Sequence, residues 1–108
     1  MRKSENKPSY ELRRVKRLCS SGDIRVTRRV SEWLRNHGYI RVQAFVKGLI
    51  SNLSEQDFYK SIKLDTFPGC YGDVYKTSYE ENEWYVKFLI EENSTVLVLS
   101  SKYDGINA

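Results

Sequence analysis

From Leu12 the apolar positions recur at helical intervals. Leu12, Val15, Leu18 and Cys19 fall on one face, and Arg13, Arg14, Lys16 and Arg17 take the others. This predicts a helix entered at Pro8–Ser9, with Ser9 suited to cap it, and stopped at Ser20-Ser21-Gly22-Asp23. Ile24–Val26 reads as a short extended link. Val26, Val30, Trp33 and Leu34 predict a second helix that starts near Thr27 and ends at Asn36-His37-Gly38. Val42, Phe45, Val46, Leu49 and Ile50 predict a third, closed by Ser51-Asn52. Leu53–Gln56 reads as a single turn, with Ser54 and Asp57 spaced as in a capping box.

At Phe58 the period changes from helical to alternating. Residues 58–63 predict a strand, and Pro68-Gly69 is the corner of the connection that follows. Residues 70–79 predict a second strand. After the turn Glu80–Glu83 comes the clearest one, in which Trp84, Val86, Phe88 and Ile90 alternate with Tyr85, Lys87 and Leu89. If the first set faces the core, Tyr85 and Lys87 emerge together on the opposite face. Thr95–Ser101 predicts the last strand, closed by Lys102. The expected architecture is α+β: N-terminal helices packed on one face of an antiparallel sheet built from the C-terminal half. Residues 9–102 read as a single domain, with flexible tails over 1–8 and 103–108.

Composition narrows the classes. No apolar run approaches the roughly 18 residues of a membrane span, and no apolar segment follows the charged N-terminus as in a secretory signal. A cytoplasmic location is expected. Two distant cysteines, Cys19 and Cys70, and one histidine make no metal site, and both thiols are expected to be reduced. His37, in the last turn of a helix, suits a contact with free carbonyls better than catalysis. Charge is divided unevenly. Residues 1–50 carry thirteen Lys/Arg against four Asp/Glu, and residues 51–108 carry five against ten, so the net +4 is a sum of +9 and −5. A basic helical half suits a polyanion, although a solvated helix surface would look the same.

The isolated lysines of the acidic half carry the chemical interest. Lys60, Lys76, Lys87 and Lys102 all lie in or beside predicted strands, interleaved with Tyr59, Tyr71, Tyr75 and Tyr85. RNA cleavage without a metal needs a base for the 2′-OH, an acid for the leaving 5′-oxygen and cations for the phosphorane. With no histidine pair, that work would fall to Lys and Tyr. Tyrosine also stacks on unpaired bases. The same residues are equally ordinary on the open face of a sheet.

Leu53-Ser54-Glu55-Gln56-Asp57-Phe58-Tyr59-Lys60-Ser61-Ile62, then Asp73-Val74-Tyr75, Tyr85-Val86-Lys87 and the closing run Val96–Lys102, resembles the motility quorum-sensing regulator (MqsR) toxin family. That family reads L-S-x-x-D-F-Y-K-S-M, W-Q-D-V-Y, Y-x-K and a last strand ending in Lys. The resemblance covers most of residues 10–102. It implies a RelE/YoeB-like microbial RNase fold and a toxin that cleaves mRNA without the ribosome, a metal or a cofactor. It implies as partners single-stranded mRNA and a cognate antitoxin, zinc-binding and helix-turn-helix, through which alone DNA would be met. It places the catalytic roles on Lys60, Tyr85 and Lys102. Tyr59, Lys76, Lys87 and Tyr75 are the candidate RNA contacts. The chain departs from the pattern at Gly72, where the family has glutamine, at Ile62 for methionine, and in about two extra residues near Asn93. The alternative is a non-catalytic RNA- or protein-binding module of the same fold, its activity lost with that glutamine.

Overall fold

The computed structural model describes residues 4–105. Three helices, α1 (Leu12–Ser20), α2 (Arg28–Asn36) and α3 (Val42–Ser51), precede four long strands, β3 (Phe58–Lys63), β4 (Tyr71–Tyr79), β5 (Asn82–Ile90) and β6 (Val96–Tyr103). Two short strands, β1 (Ser4–Glu5) and β2 (Ile24–Val26), complete a sheet of order β1-β3-β4-β5-β6-β2. The expected α+β architecture is what forms. The apolar stripes of all three helices meet one face of the sheet. Val15, Cys19, Leu34, Val46, Leu49 and Ile50 pack with Tyr75, Trp84, Val86, Phe88, Val96 and Val98 in a single core. The helix ends follow their residue types: Thr27 accepts from the Val30 amide at 3.3 Å, and Gly22 and Gly38 take φ of 87° and 93° just past α1 and α2.

Three local expectations change. Ile24–Val26 is not merely a link: it pairs in parallel with Val96–Val98, the one parallel pair in the sheet. Ser9 does not cap α1, whose N-cap is Glu11 without a side-chain bond. The backbone amides of Ser9 and Tyr10 instead donate to the Asp73 carboxylate at 3.0 and 2.9 Å, and the Ser9 and Ser61 hydroxyls lie 2.7 Å apart. The tails expected over 1–8 and 103–108 are partly built into the fold. Ser4–Glu5 pair with Ser61–Ile62, and Tyr103 ends β6 opposite Trp84. Residues 1–3 and 106–108 of those tails lie outside the described residues.

Asp73 is therefore a staple. It is fully buried on the core face of β4, and burial pushes its carboxyl above the ordinary range, against the bonds from Ser9, Ser61 and Tyr10. It turns the chain entering α1 back onto the sheet.

Two irregularities decide which side chains reach the other face. Between β3 and β4, Phe58 lies opposite Tyr75 and Lys60 opposite Val74, so Tyr59 is an extra residue. Between β5 and β6, Phe88 lies opposite Val98 and Lys87 opposite Ser100, so Leu99 is extra. Each bulge shifts the side-chain alternation by one. Without them Lys60 would share the core face with Phe58, and Lys102 would share it with Val98. Asp73→Ala leaves two part-buried amides without their acceptor and is expected to lower the unfolding free energy by about 1–3 kcal/mol, measured by denaturant unfolding. Proteolysis should then cut first ahead of Tyr10, where the staple is lost.

Candidate active site

With both bulges in place, two rows of side chains cross the face opposite the helices. One runs Tyr59, Lys76, Tyr85, Lys102, since Lys76 lies opposite Tyr85 and Tyr85 opposite Lys102. The next runs Lys60, Val74, Lys87, Ser100. Tyr59, Lys60, Lys76, Tyr85 and Lys102 line one open cavity of about 300 Å³, walled at its end by Tyr103 and Asp104. The cations lean on the rings. The Lys76 ammonium is 4.0 Å from the centre of the Tyr59 ring, that of Lys60 is 5.1 Å from the same ring, and that of Lys102 is 5.6 Å from Tyr85.

The structure thus brings together Lys60, Tyr85, Lys102, Tyr59 and Lys76. Lys87 stands one row away on the same face. Tyr75 does not belong to the group. It is 1% exposed on the core face, between Phe58 and Phe88, and burial pushes its hydroxyl up to about 12. A base cannot stack on it, so its candidacy as an RNA contact is withdrawn: it sits one position out of step with its neighbours Val74 and Lys76. His37 stays outside the site. Its Nδ1 lies 2.7 Å from the Trp33 carbonyl and its ring stacks on that indole at 3.7 Å.

Asp104 was missed. It pairs with Lys76 at 3.5 Å and closes the cavity from a stretch expected to be tail. No pattern signals it, because the Leu99 bulge breaks the alternation that would have carried the strand past Lys102. Arg29 also comes near this group, beside Lys102, because of where α2 packs rather than its place in the chain.

The electrostatics separate the groups. Tyr85 is held above the ordinary tyrosine range, first by burial and then by Tyr59 and Asp104, so it keeps its proton. Lys87 is held below the ordinary lysine range, first by burial and then by the charges of Lys102, Lys60 and Arg29. Among the described residues, none of Arg29, Lys60, Lys87 and Lys102 has a carboxylate within 4.0 Å. Three unpaired lysines on the open face, with Arg29 of α2 beside Lys102 at the sheet edge and Asp104 as the one acid in the cavity among the described residues, leave an excess of positive charge suited to a polyanion. Among the described residues no group of His, Cys, Asp and Glu is arranged to hold a metal, and no helix is long and apolar enough to cross a membrane.

The departure at Gly72 has a spatial counterpart. A Cβ there would lie 3.2 Å from Leu64 Cδ2 and 3.3 Å from Lys87 Cγ. A side chain at 72 would therefore need Leu64 and the stem of Lys87 to give by a few tenths of an ångström.

Three helices on one face of a mostly antiparallel sheet, with tyrosines and lysines concentrated on the open face, define a small α+β domain with a basic, aromatic face. The chain belongs to the family described as motility quorum-sensing regulator, toxin of MqsA, whose model matches residues 7–102. Membership makes it a toxin of a toxin–antitoxin pair. No curated protein matches the chain at a significant level.

Gly72→Gln forces Leu64 or Lys87 aside and is expected to cost about 1–3 kcal/mol of stability. The cost should shrink when Leu64 is cut to Ala in the same chain. A double-mutant cycle of unfolding free energies reads this, and strict additivity would show that Leu64 does not fill the space.

Proposed function

We propose that the protein is an mRNA endoribonuclease that works without a metal or the ribosome and is neutralised by a cognate antitoxin of the zinc-binding, helix-turn-helix kind. The observation that carries this reading is that Lys60 and Lys102, without acid partners among the described residues, share one cavity with Tyr85, whose proton is retained, while Lys87 stands one row away on the same face. Family membership supports it, and so does the exposed Tyr59 ring, 50% accessible, as a platform for an unpaired base.

In this reading single-stranded RNA lies across the open face. Lys60 and Lys102 hold the scissile phosphate and the charge that builds on its oxygens. Tyr85 is the proton donor for the leaving 5′-oxygen, because burial and its neighbours keep it protonated at neutral pH. Lys87, its proton loosened by burial and by neighbouring cations, is the acceptor for the 2′-OH proton. Tyr59 and Lys76 contact the flanking nucleotide. Electrons move from the 2′-oxygen to phosphorus as the bond to the 5′-oxygen breaks. The products are a 2′,3′-cyclic phosphate and a 5′-hydroxyl, and the proton taken at one end is matched by the proton given at the other.

The alternative, a binding module without catalysis, draws only on Gly72. In this chain Lys87 occupies the space above that residue and supplies a titratable group on the same face.

Purified protein is expected to cut RNA in the presence of a chelator. Tyr85→Phe, Lys60→Ala and Lys102→Ala should each lower the rate by roughly 10²-fold or more with the circular dichroism spectrum unchanged. Full activity in all three would overturn the assignment. Salt-sensitive binding without products would instead favour the module. The pH profile should rise as Lys87 loses its proton, below the ordinary lysine value of about 10.4, and fall where Tyr85 ionises. Lys87→Arg, which cannot give up its proton, should remove the rising limb.

A further inference from the structure

A second groove lies beside the first. Strand β2 pairs with only Val96–Val98 of β6, after which the chain turns into α2 at Thr27. The rest of β6 thus faces α2 across a cavity of about 300 Å³. Its walls differ in chemistry. Val30, Trp33 and Leu99 are apolar, Arg29 brings an unpaired guanidinium, and Ser101 and Lys102 come from the strand. Lys102 lines both this groove and the cavity at Tyr85, so the two are continuous across one lysine.

Ser101 is the informative residue. It is 2% exposed, and its Oγ is the one buried side-chain oxygen or nitrogen among the described residues that has no hydrogen-bond partner. Ser101 lies opposite Val86 on the helix side of β6, and leaving its enclosed hydroxyl unpaired costs free energy, so a ligand that parts the groove wall far enough to reach it gains a bond the free protein lacks. The groove is at the small end of ligand pockets, a size that fits one nucleoside rather than a peptide segment. Apolar walls that include an indole, cations at the rim and a hydroxyl that both donates and accepts are what an unstacked nucleobase needs.

We infer that the groove between α2 and β6 is a nucleobase subsite: it takes the base next to the phosphate held at Lys102, with the Ser101 hydroxyl reading its edge and Arg29 facing its phosphate. The inference rests on the reading of the open face as an RNA site and names where the chain's base selectivity arises. It also explains why β2 is short. Three more paired residues in β2 would cover the strand edge and fill the groove.

The test is binding of a panel of short 2′-O-methyl oligonucleotides, which lack the attacking hydroxyl, with one base varied at a time, followed by fluorescence anisotropy. The intact protein should prefer one base at one position. Ser101→Ala should flatten that preference by about three- to tenfold, the worth of one hydrogen bond. Arg29→Gln should weaken binding of the whole panel and reduce its salt dependence. Arg28→Gln should leave both unchanged, because Arg28 is turned to solvent and paired with Glu32 at 3.1 Å. Absence of any base preference in the intact protein, or binding by Ser101→Ala and Arg29→Gln like the intact protein's, would overturn the subsite. Cleavage of ordinary RNA is scored separately: its absence would count against the nuclease reading, while the groove stands or falls on the binding panel.

Discussion

The pleat of a β-strand sends successive side chains to opposite faces, and everything at the open face of this sheet depends on how that rule is broken. Here the helices claim one face, so any residue in step with Phe58 on β3 or with Val98 on β6 is committed to the core. Lys60 and Lys102 are both in step with those residues by count. A single extra residue on each strand, Tyr59 and Leu99, reverses the parity and delivers both lysines to the side where Tyr85 emerges. The site is thus a product of two backbone irregularities flanking a regular pair of strands. β4 and β5 have no such shift, and they supply Lys76, Tyr85 and Lys87 by plain alternation.

Gathering these cations has an electrostatic cost, and the fold manages it unevenly. Lys76 is paired with Asp104, and Arg25 and Arg28 are paired with Glu91 and Glu32. Among the described residues Lys60, Lys87, Lys102 and Arg29 have no such partner, and the strain is registered at Lys87, the half-buried one, as a loosened proton. Tyr85, two residues earlier on the same strand and face, is pushed the other way by burial and by Asp104. One environment therefore moves an ammonium toward neutrality and keeps a phenol neutral. That separation is what proton transfer in both directions requires, and no histidine is involved.

Most of the fold could be read from the chain because it follows from periodicity. The three helix stripes and the β5 alternation each record a choice between core and solvent. Lys60, Tyr85 and Lys102 were legible as a group only through the family pattern, since counting alone places the two lysines on the wrong face. Tyr75 shows the limit of reading by composition: a tyrosine among lysines in a strand looked like a base platform, but its parity puts it among Phe58 and Phe88. The parallel pairing of Ile24–Val26, the Asp73 staple and the groove at Ser101 depend on contacts between residues far apart in the chain, and no local pattern encodes them.

Gly72 links these threads. At the sequence level it is a missing side chain, and taken alone it argues for lost activity. In space it is a place where a side chain would crowd two others. Leu64, from the connection after β3, and the stem of Lys87 lie close enough that even a methyl group would press on them. The glycine allows Lys87 to lie against β4 and become buried, and burial is the largest cause of its loosened proton. A larger residue at 72 would press on that stem and act on the burial alone, while the charges of Lys102, Lys60 and Arg29 would go on loosening the proton. The departure from the family pattern and the perturbed lysine are therefore neighbours in space: the small residue on β4 leaves room for the stem of the lysine on β5.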